Sequence, residues 1–228
     1  PWSMRTELPR LRAAGENSLV LYFGEEADPG VNAQVQAAVI AIEQALGGAL
    51  IDLIPSYASL LLVYAPDKGF AEITRRVRQA LVTLSVNEQS GSLVTLPVYY
   101  SPESGADLEA LAGRAGLSVE EVIALHSAVQ YRVYAIGFAP GFAYLGDVDA
   151  RLATPRLATP RQTVPGGAVA IAERQTAVYP ATSPGGWNLI GRCPVKLFDP
   201  GGNPPMPVAG GDLVRFVPIS RDDYLDLC

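Results

Sequence analysis

The sequence contains few of the residues that mark a metal site, a disulfide framework or a membrane span. Its 228 residues include one histidine and two cysteines. Neither a Cys-x-x-Cys nor a His-x-x-x-His spacing occurs, so we expect no metal site. We expect Cys193 and Cys228 to be free thiols, because Cys228 lies at the end of the chain, where bridging geometry is hard to hold. No apolar run approaches the roughly 20 residues that span a bilayer.

Positive charge is also scarce. Lys and Arg total 17 against 23 Asp and Glu, which gives a formal net charge of −6. Proteins that follow a phosphate backbone need a basic face, so nucleic-acid binding is disfavoured. The first segment, PWSMRTELPRLRAAGENS, has no hydrophobic stretch of the secretory type. We therefore expect a cytoplasmic protein that does not associate with membranes.

The first half of the chain alternates between strand and helix patterns. Strands are predicted over 18–23, 49–54, 59–64 and 93–100, with amphipathic helices over 28–46 and 67–84. The order β-α-β-β-α-β is typical of a ferredoxin-like domain, which packs two helices on one face of an antiparallel sheet. We therefore predict this domain over residues 18–100, preceded by a flexible segment over 1–17.

The second half changes character after a linker. Residues 101–130 are predicted to contain the linker and helices, and Ser118 with Glu121 forms a capping-box pattern. From 131 to 228 the sequence consists of short β-rich runs separated by Pro-Gly turns. Such spacing predicts an all-β barrel or sandwich. The chain is therefore α+β, with a domain boundary expected near residues 101–106.

No self-contained catalytic motif is visible. The sequence has no phosphate loop, no dinucleotide-binding glycine pattern and no nucleophile elbow. The distinctive segment is YRVYAIGFAPGFAYLGDVD over 131–149. Its glycines permit close approach to a ligand and its aromatic residues are suited to wall a pocket, although a barrel corner packed by aromatics would show the same pattern. The candidate residues here are Tyr131, Gly137, Phe138, Pro140, Gly141, Phe142 and Tyr144.

A doubled Ala-Thr-Pro-Arg follows and ends at Arg156 and Arg161. Each proline stiffens the backbone, so two guanidinium groups are held ready for a carboxylate or a phosphate. The alternative is that both are surface arginines paired with Asp147 or Asp149.

Two further candidates lie on either side of these segments. His126 has a reference pKa near neutrality and is a candidate for proton transfer, although a lone histidine is more often a packing residue. Trp187 follows a rigid turn and either stacks on a ligand or a protein partner or plugs the barrel. The turn residues beside it, Pro184, Gly185 and Gly186, complete the candidate set.

These motifs together carry a resemblance to a known family. The chain resembles the family of the B-type subunit of 5-oxoprolinase, also called allophanate hydrolase subunit 1, which includes the kinase inhibitor KipI and a region of urea amidolyase. The resemblance extends from about residue 17 to 220 and departs at Cys193, where threonine is usual. The motifs that carry it are YRVY, GFAPGFAYLG, both TPR triplets, VPGG, VYP, SPGGWNLIGR and LFD.

The resemblance implies a ferredoxin-like domain followed by a cyclophilin-like β-barrel. It also implies a hydrolase subunit, inactive alone, that works with a homologous C-type subunit and with an A-type subunit. The assembled complex would use ATP with Mg²⁺ to open the lactam of 5-oxoproline. On this basis Arg156 and Arg161 would hold a carboxylate or ATP phosphates, Tyr144 and Trp187 would line the pocket, and His126 would transfer a proton.

Two alternatives stay open at this point. One is a KipI-like inhibitor that binds a sensor histidine kinase. The other is one component of a urea- or allophanate-type amide-cleaving system built on the same fold.

Overall fold

The computed structural model describes residues 9–26, 28–86 and 91–228. The chain divides into two compact units, Pro1–Ser90 and Gly91–Cys228. Within the described ranges, no helix is both long enough and apolar enough to cross a membrane.

The N-terminal unit consists of a four-stranded antiparallel sheet and two helices. In chain order the elements are β1 (Arg10–Gly15), β2 (Ser18–Tyr22), α1 (Pro29–Leu46), β3 (Leu50–Pro55), β4 (Ser59–Tyr64) and α2 (Phe70–Val82). The strands lie in the order β1-β2-β4-β3.

Local signals explain why the first helix begins and ends where it does. The Asp28 carboxylate accepts hydrogen bonds from the backbone N–H groups of Gly30 and Val31, at 2.8 and 3.1 Å. Gly47 ends the helix with a φ of 49°, which glycine adopts at little cost. Both predicted helices are therefore confirmed. Their apolar faces bury Val35, Ile42, Ile73 and Val77 against sheet residues such as Leu19 and Leu62.

The ferredoxin-like pattern predicted over 18–100 is wrong in its last strand. Strand β5 (Leu93–Val98) belongs to the second unit, where it pairs in parallel with β13 (Leu213–Pro218). Its place beside β2 is taken by β1, a strand within the segment that was expected to be flexible. A short turn joins β1 to β2, so their pairing needs little loop closure. Residues 1–8 of that predicted segment lie outside the described residues.

The second unit is a seven-stranded sheet that curves into a nearly closed barrel. Besides β5 and β13, its elements are α3 (Leu108–Ala115), α4 (Val119–Ser127), β6 (Gln130–Ile136), β7 (Ala143–Gly146), β8 (Arg161–Val164), β9 (Ala168–Ala172), β10 (Gln175–Val178), β11 (Ser183–Gly185), β12 (Asn188–Arg192) and α5 (Arg221–Leu227). The strand order is β12-β9-β10-β7-β6-β13-β5, and β8 and β11 form a separate two-stranded sheet.

Two backbone hydrogen bonds bring the ends of this sheet together. Tyr99, just after β5, and Arg192, at the end of β12, exchange N–H···O bonds of 2.8 and 2.9 Å. The barrel core includes Leu96 and Val98 of β5, both nearly or wholly buried. The units therefore divide between residues 90 and 91 and not at 101–106, because β5 is part of the barrel.

The predicted helices between residues 101 and 130 are present. Ser118 caps α4 as expected: the Glu121 N–H donates to the Ser118 hydroxyl at 3.1 Å. The Ser118 N–H in turn donates to the Glu121 carboxylate at 2.7 Å.

Two glycines near α3 give a matched test of this packing. A Cβ on Gly105 would collide with the backbone of Ile190, whereas a Cβ on Gly113 would meet nothing within 4 Å. We expect Gly105→Ala to lower the free energy of unfolding by about 1–3 kcal/mol through overpacking. Gly113→Ala should raise it by about 0.5–1 kcal/mol, because alanine favours the helix interior. Urea denaturation of both variants measures the difference, and equal effects would contradict the packing of α3 against β12.

Candidate functional site

The turn between β6 and β7 places several predicted site residues. The Gly137 N–H donates to the Phe142 carbonyl and the Phe142 N–H to the Ala139 carbonyl, both at 3.0 Å. Gly141 has a φ of 83°, and a Cβ there would lie 2.6 Å from the Leu197 carbonyl oxygen. Only glycine fits at this position. Exposed Pro140 lies in the same turn and Gly137 begins it.

The turn places Phe142 within a cluster of aromatic rings. Its ring centroid lies 4.9 Å from that of Tyr144, 5.3 Å from Tyr179 and 5.7 Å from Trp187. Phe138 adds a fourth contact at 5.3 Å. All four contacts are edge-to-face, which is a favourable arrangement for aromatic pairs. The cluster therefore has a fixed shape.

A cavity of about 180 Å³ opens over this cluster. Eight predicted residues line it: Phe138, Phe142, Tyr144, Arg156, Pro184, Gly185, Gly186 and Trp187. Three further lining residues, Leu157, Pro160 and Tyr179, are not among the sequence candidates. The available signals were the VYP motif for Tyr179 and the position of Leu157 and Pro160 within the doubled TPR segment.

Hydrogen bonds to the turn before β12 hold the Pro-rich segment against the cavity. The Asn188 side-chain amide donates to the Pro155 carbonyl at 2.9 Å, and its oxygen accepts from Arg114 at 2.9 Å. The Leu157 N–H donates to the Gly186 carbonyl at 2.7 Å. The backbone on both sides of Arg156 is therefore fixed.

The two predicted arginine clamps have different surroundings. Arg156 is exposed, lines the cavity and lies with its guanidinium carbon 5.9 Å from the Trp187 ring centroid. Arg161 does not line the cavity, because its Nη2 donates to the Asp107 carboxylate at 2.7 Å. The other Asp107 oxygen accepts from the Leu189 N–H at 2.7 Å. Arg161 thus joins β8 to the start of α3 and to β12.

The alternative partners expected for these arginines pair elsewhere. Asp149 binds Arg151 at 2.8 Å, and Asp147 lies 4.0 Å from Arg174. The interpretation of Arg156 and Arg161 as partners of Asp147 or Asp149 is therefore wrong, because nearer arginines occupy those carboxylates.

His126 lies in the barrel core and not in the cavity. It is fully buried, with Nδ1 2.7 Å from the Tyr100 hydroxyl and Nε2 2.9 Å from the Thr176 hydroxyl. Because the Thr176 hydroxyl donates to the Ala170 carbonyl, it accepts from His126, which places the ring proton on Nε2. Burial lowers the pKa of His126 to about 3.

This environment suits a structural histidine. Both ring nitrogens of His126 are occupied, and the ring stacks on Phe216 with centroids 4.7 Å apart. Tyr131 is also fully buried, and its hydroxyl donates to the His126 carbonyl at 2.8 Å. Neither residue lines the cavity, so the geometry gives no support to the predicted proton transfer by His126 or to ligand contact by Tyr131.

Both cysteines are free thiols, as predicted, with Cys193 buried and Cys228 exposed. Burial raises the pKa of Cys193 to about 11, which keeps it protonated near neutral pH. Across residues 9–26, 28–86 and 91–228, no group of three or more His, Cys, Asp or Glu side chains is placed to hold a metal ion.

Comparison with known proteins shows extensive sequence similarity. The family model described as carboxyltransferase domain, subdomain C and D, matches residues 9–208. The Bacillus subtilis (strain 168) protein named as the B-type subunit of 5-oxoprolinase is 40% identical over 227 residues, which cover 94% of this chain and 95% of that protein.

Solved structures share the fold. The crystal structure of TTHA0988 has a TM-score of 0.80 at 37% identity, over 92% of this chain and 40% of that longer chain. The urea carboxylase of Kluyveromyces lactis has a TM-score of 0.75 at 15% identity, over 99% of this chain and 23% of that chain. At 15% identity this second likeness shows a common fold alone.

The burial of His126 predicts a pH dependence of stability. Its pKa is about 3 in the folded chain, against about 6.5 when unfolded. As the pH falls below about 6.5, His126 binds a proton in the unfolded chain but not in the folded chain, so the free energy of unfolding decreases. This single group should remove roughly 1 kcal/mol of the free energy of unfolding between pH 7.5 and 5.5, a window above the titration of most carboxyls.

The variant His126→Gln lacks this titration. We expect it to be less stable than the parent at pH 7.5 but to lose roughly 1 kcal/mol less on going to pH 5.5. Urea denaturation at both pH values provides the comparison. Identical pH slopes in parent and variant would mean that His126 is not buried as a neutral group.

Proposed function

Because the chain belongs to the carboxyltransferase domain, subdomain C and D, family, we propose that it is one subunit of an ATP-dependent 5-oxoprolinase. In this reaction water adds to the lactam carbonyl of 5-oxo-L-proline, the ring C–N bond breaks and the nitrogen gains a proton, which yields L-glutamate. The observation that carries the proposal is the 40% identity to the B-type subunit of a 5-oxoprolinase over 94% of this chain and 95% of that protein.

The proposed partners are a homologous C-type subunit and an A-type subunit. Counterparts of this chain occur inside longer polypeptides, since it covers 40% of TTHA0988 and 23% of the urea carboxylase chain. These longer chains support the proposal that this chain functions together with additional subunits. The cavity of this chain has aromatic walls and one arginine, and none of its lining residues is a histidine, cysteine or carboxylate that would serve as a base or nucleophile.

The nucleotide is proposed to bind to the assembled complex. The sequence has no phosphate loop. The residues that line the cavity include no carboxylate that would ligate Mg²⁺. The cavity therefore does not fit an ATP–Mg²⁺ site, and no step of the proposal passes through a nucleotide held by this chain alone.

Reconstitution tests the proposal. The purified chain is assayed for glutamate formation and ATP hydrolysis, alone and with the A-type and C-type subunits of the Bacillus subtilis enzyme. The B-type subunit of that enzyme serves as the positive control. We expect the chain alone to be inactive. The mixture should form glutamate and hydrolyse ATP in a 5-oxoproline-dependent manner.

If the mixture formed no glutamate while the positive control was active, the result would contradict the proposal. It would favour the KipI-like alternative, which a pull-down with a sensor histidine kinase would then examine. Activity on urea or allophanate in place of 5-oxoproline would assign a different amide substrate.

A further inference from the structure

We propose that the aromatic cavity of this chain binds a small ring-shaped monocarboxylate, with Arg156 as the ligand of the carboxylate. The inference rests on the proposed function in one respect: it names 5-oxo-L-proline as the occupant. The charge, the shape and the rim of the cavity favour such a ligand independently of that function.

The charge of the cavity favours an anion. Arg156 is the one charged residue among those that line it, and the other lining residues are aromatic, aliphatic, proline or glycine. Among the described residues, no carboxylate lies within ion-pair distance of Arg156. Its guanidinium lies over Trp187, an arrangement that leaves the N–H edge available to a carboxylate.

Arg156 is also held ready for binding. The Pro155 carbonyl accepts from Asn188 at 2.9 Å, and the Leu157 N–H donates to Gly186 at 2.7 Å. The backbone on each side is therefore fixed before a ligand arrives, and binding needs to order only the side chain. Such preorganisation lowers the entropic cost of a charge-assisted hydrogen bond.

The size and walls of the cavity favour a small flat ring. Its volume is about 180 Å³. Pockets for larger ligands hold roughly 300–1,000 Å³. The rings of Phe142, Tyr144, Tyr179 and Trp187 provide faces and edges for a five-membered ring, whereas a nucleoside triphosphate would find a single cationic side chain among the lining residues.

Phe138 stands at the rim in an unusual conformation. Its φ is 69°, in the left-handed region that bulky residues rarely adopt, and its side chain is 66% exposed. Such backbone strain is typical of ligand clamps. Since its ring already contacts Phe142 at 5.3 Å, a ring bound beside Phe142 would cover part of this exposed apolar surface.

Tryptophan fluorescence measures the binding directly. The chain has two tryptophans, so in a Trp2→Phe background the signal reports on Trp187 alone. We expect saturable quenching by 5-oxo-L-proline. 2-Pyrrolidinone, which has the same lactam ring but no carboxylate, should bind at least about 10-fold more weakly. ATP should produce no competing saturable change.

Arginine variants separate the carboxylate contact from general charge. Arg156→Gln should raise the Kd for 5-oxo-L-proline by about 10-fold or more, and Arg156→Lys should restore part of the loss. The matched control is Arg174→Gln, which removes the same charge from an exposed arginine outside the cavity. It should leave the Kd unchanged. Equal thermal unfolding midpoints would show that the variants are folded.

The outcomes are distinct from those of the proposed function. Absence of saturable quenching in both the isolated chain and the reconstituted complex overturns the inference, as does an equal loss in Arg156→Gln and Arg174→Gln. An active complex in which Arg156→Gln leaves KM for 5-oxoproline unchanged also overturns it, while the proposed place of the chain in the complex stands. If 5-oxo-L-proline binds through Arg156 but the reconstituted complex does not convert it, the binding proposal stands and the proposed function is contradicted.

Discussion

The packing of aromatic rings around Phe142 determines the shape of the candidate site. Phe142 contacts Tyr144, Tyr179 and Trp187, which come from three separate parts of the barrel. It reaches this position because Gly141 lets the backbone pass within contact distance of the Leu197 carbonyl. A side chain at 141 would displace the turn, and with it the floor of the cavity.

A second layer of polar contacts holds the rim against this floor. Asn188 ties the Pro155 carbonyl to Arg114, and Asp107 joins Arg161 to the Leu189 backbone. Leaving these buried groups unpaired would be costly, so they fix the rim firmly. These contacts give the two arginines different roles. Arg161 is paired with Asp107 and stabilises the fold, whereas Arg156 faces the cavity.

Elements with local signals could be predicted from the sequence, and those set by distant pairing could not. The cap at Asp28 and the Ser118–Glu121 box lie within a few residues of the helices they begin. By contrast, β5 is placed by partners such as Asp212, whose carboxylate accepts from the Ser92 N–H across 120 residues of chain. Nothing near β5 in the sequence distinguishes the sheet of one unit from that of the other.

The residues of the candidate site also fall into those predictable from local sequence and those that depend on distant contacts. The unusual composition of the glycine-rich turn and of the SPGGW turn predicts a ligand site, and both turns line one cavity. His126 looked available for chemistry because its partners, Tyr100 and Thr176, lie 26 and 50 residues away. Arg161 was likewise separated by 54 residues from the carboxylate that occupies it. Burial and pairing of this kind are properties of the fold.

The most direct test of the account is an NMR titration of ¹⁵N-tryptophan-labelled protein with 5-oxo-L-proline. The two tryptophans give two indole N–H signals, and the Trp2→Phe variant assigns them. We predict that the Trp187 signal moves and saturates. A Trp187 signal that does not move, in a folded protein at saturating 5-oxo-L-proline, would contradict the placement of the substrate in this cavity.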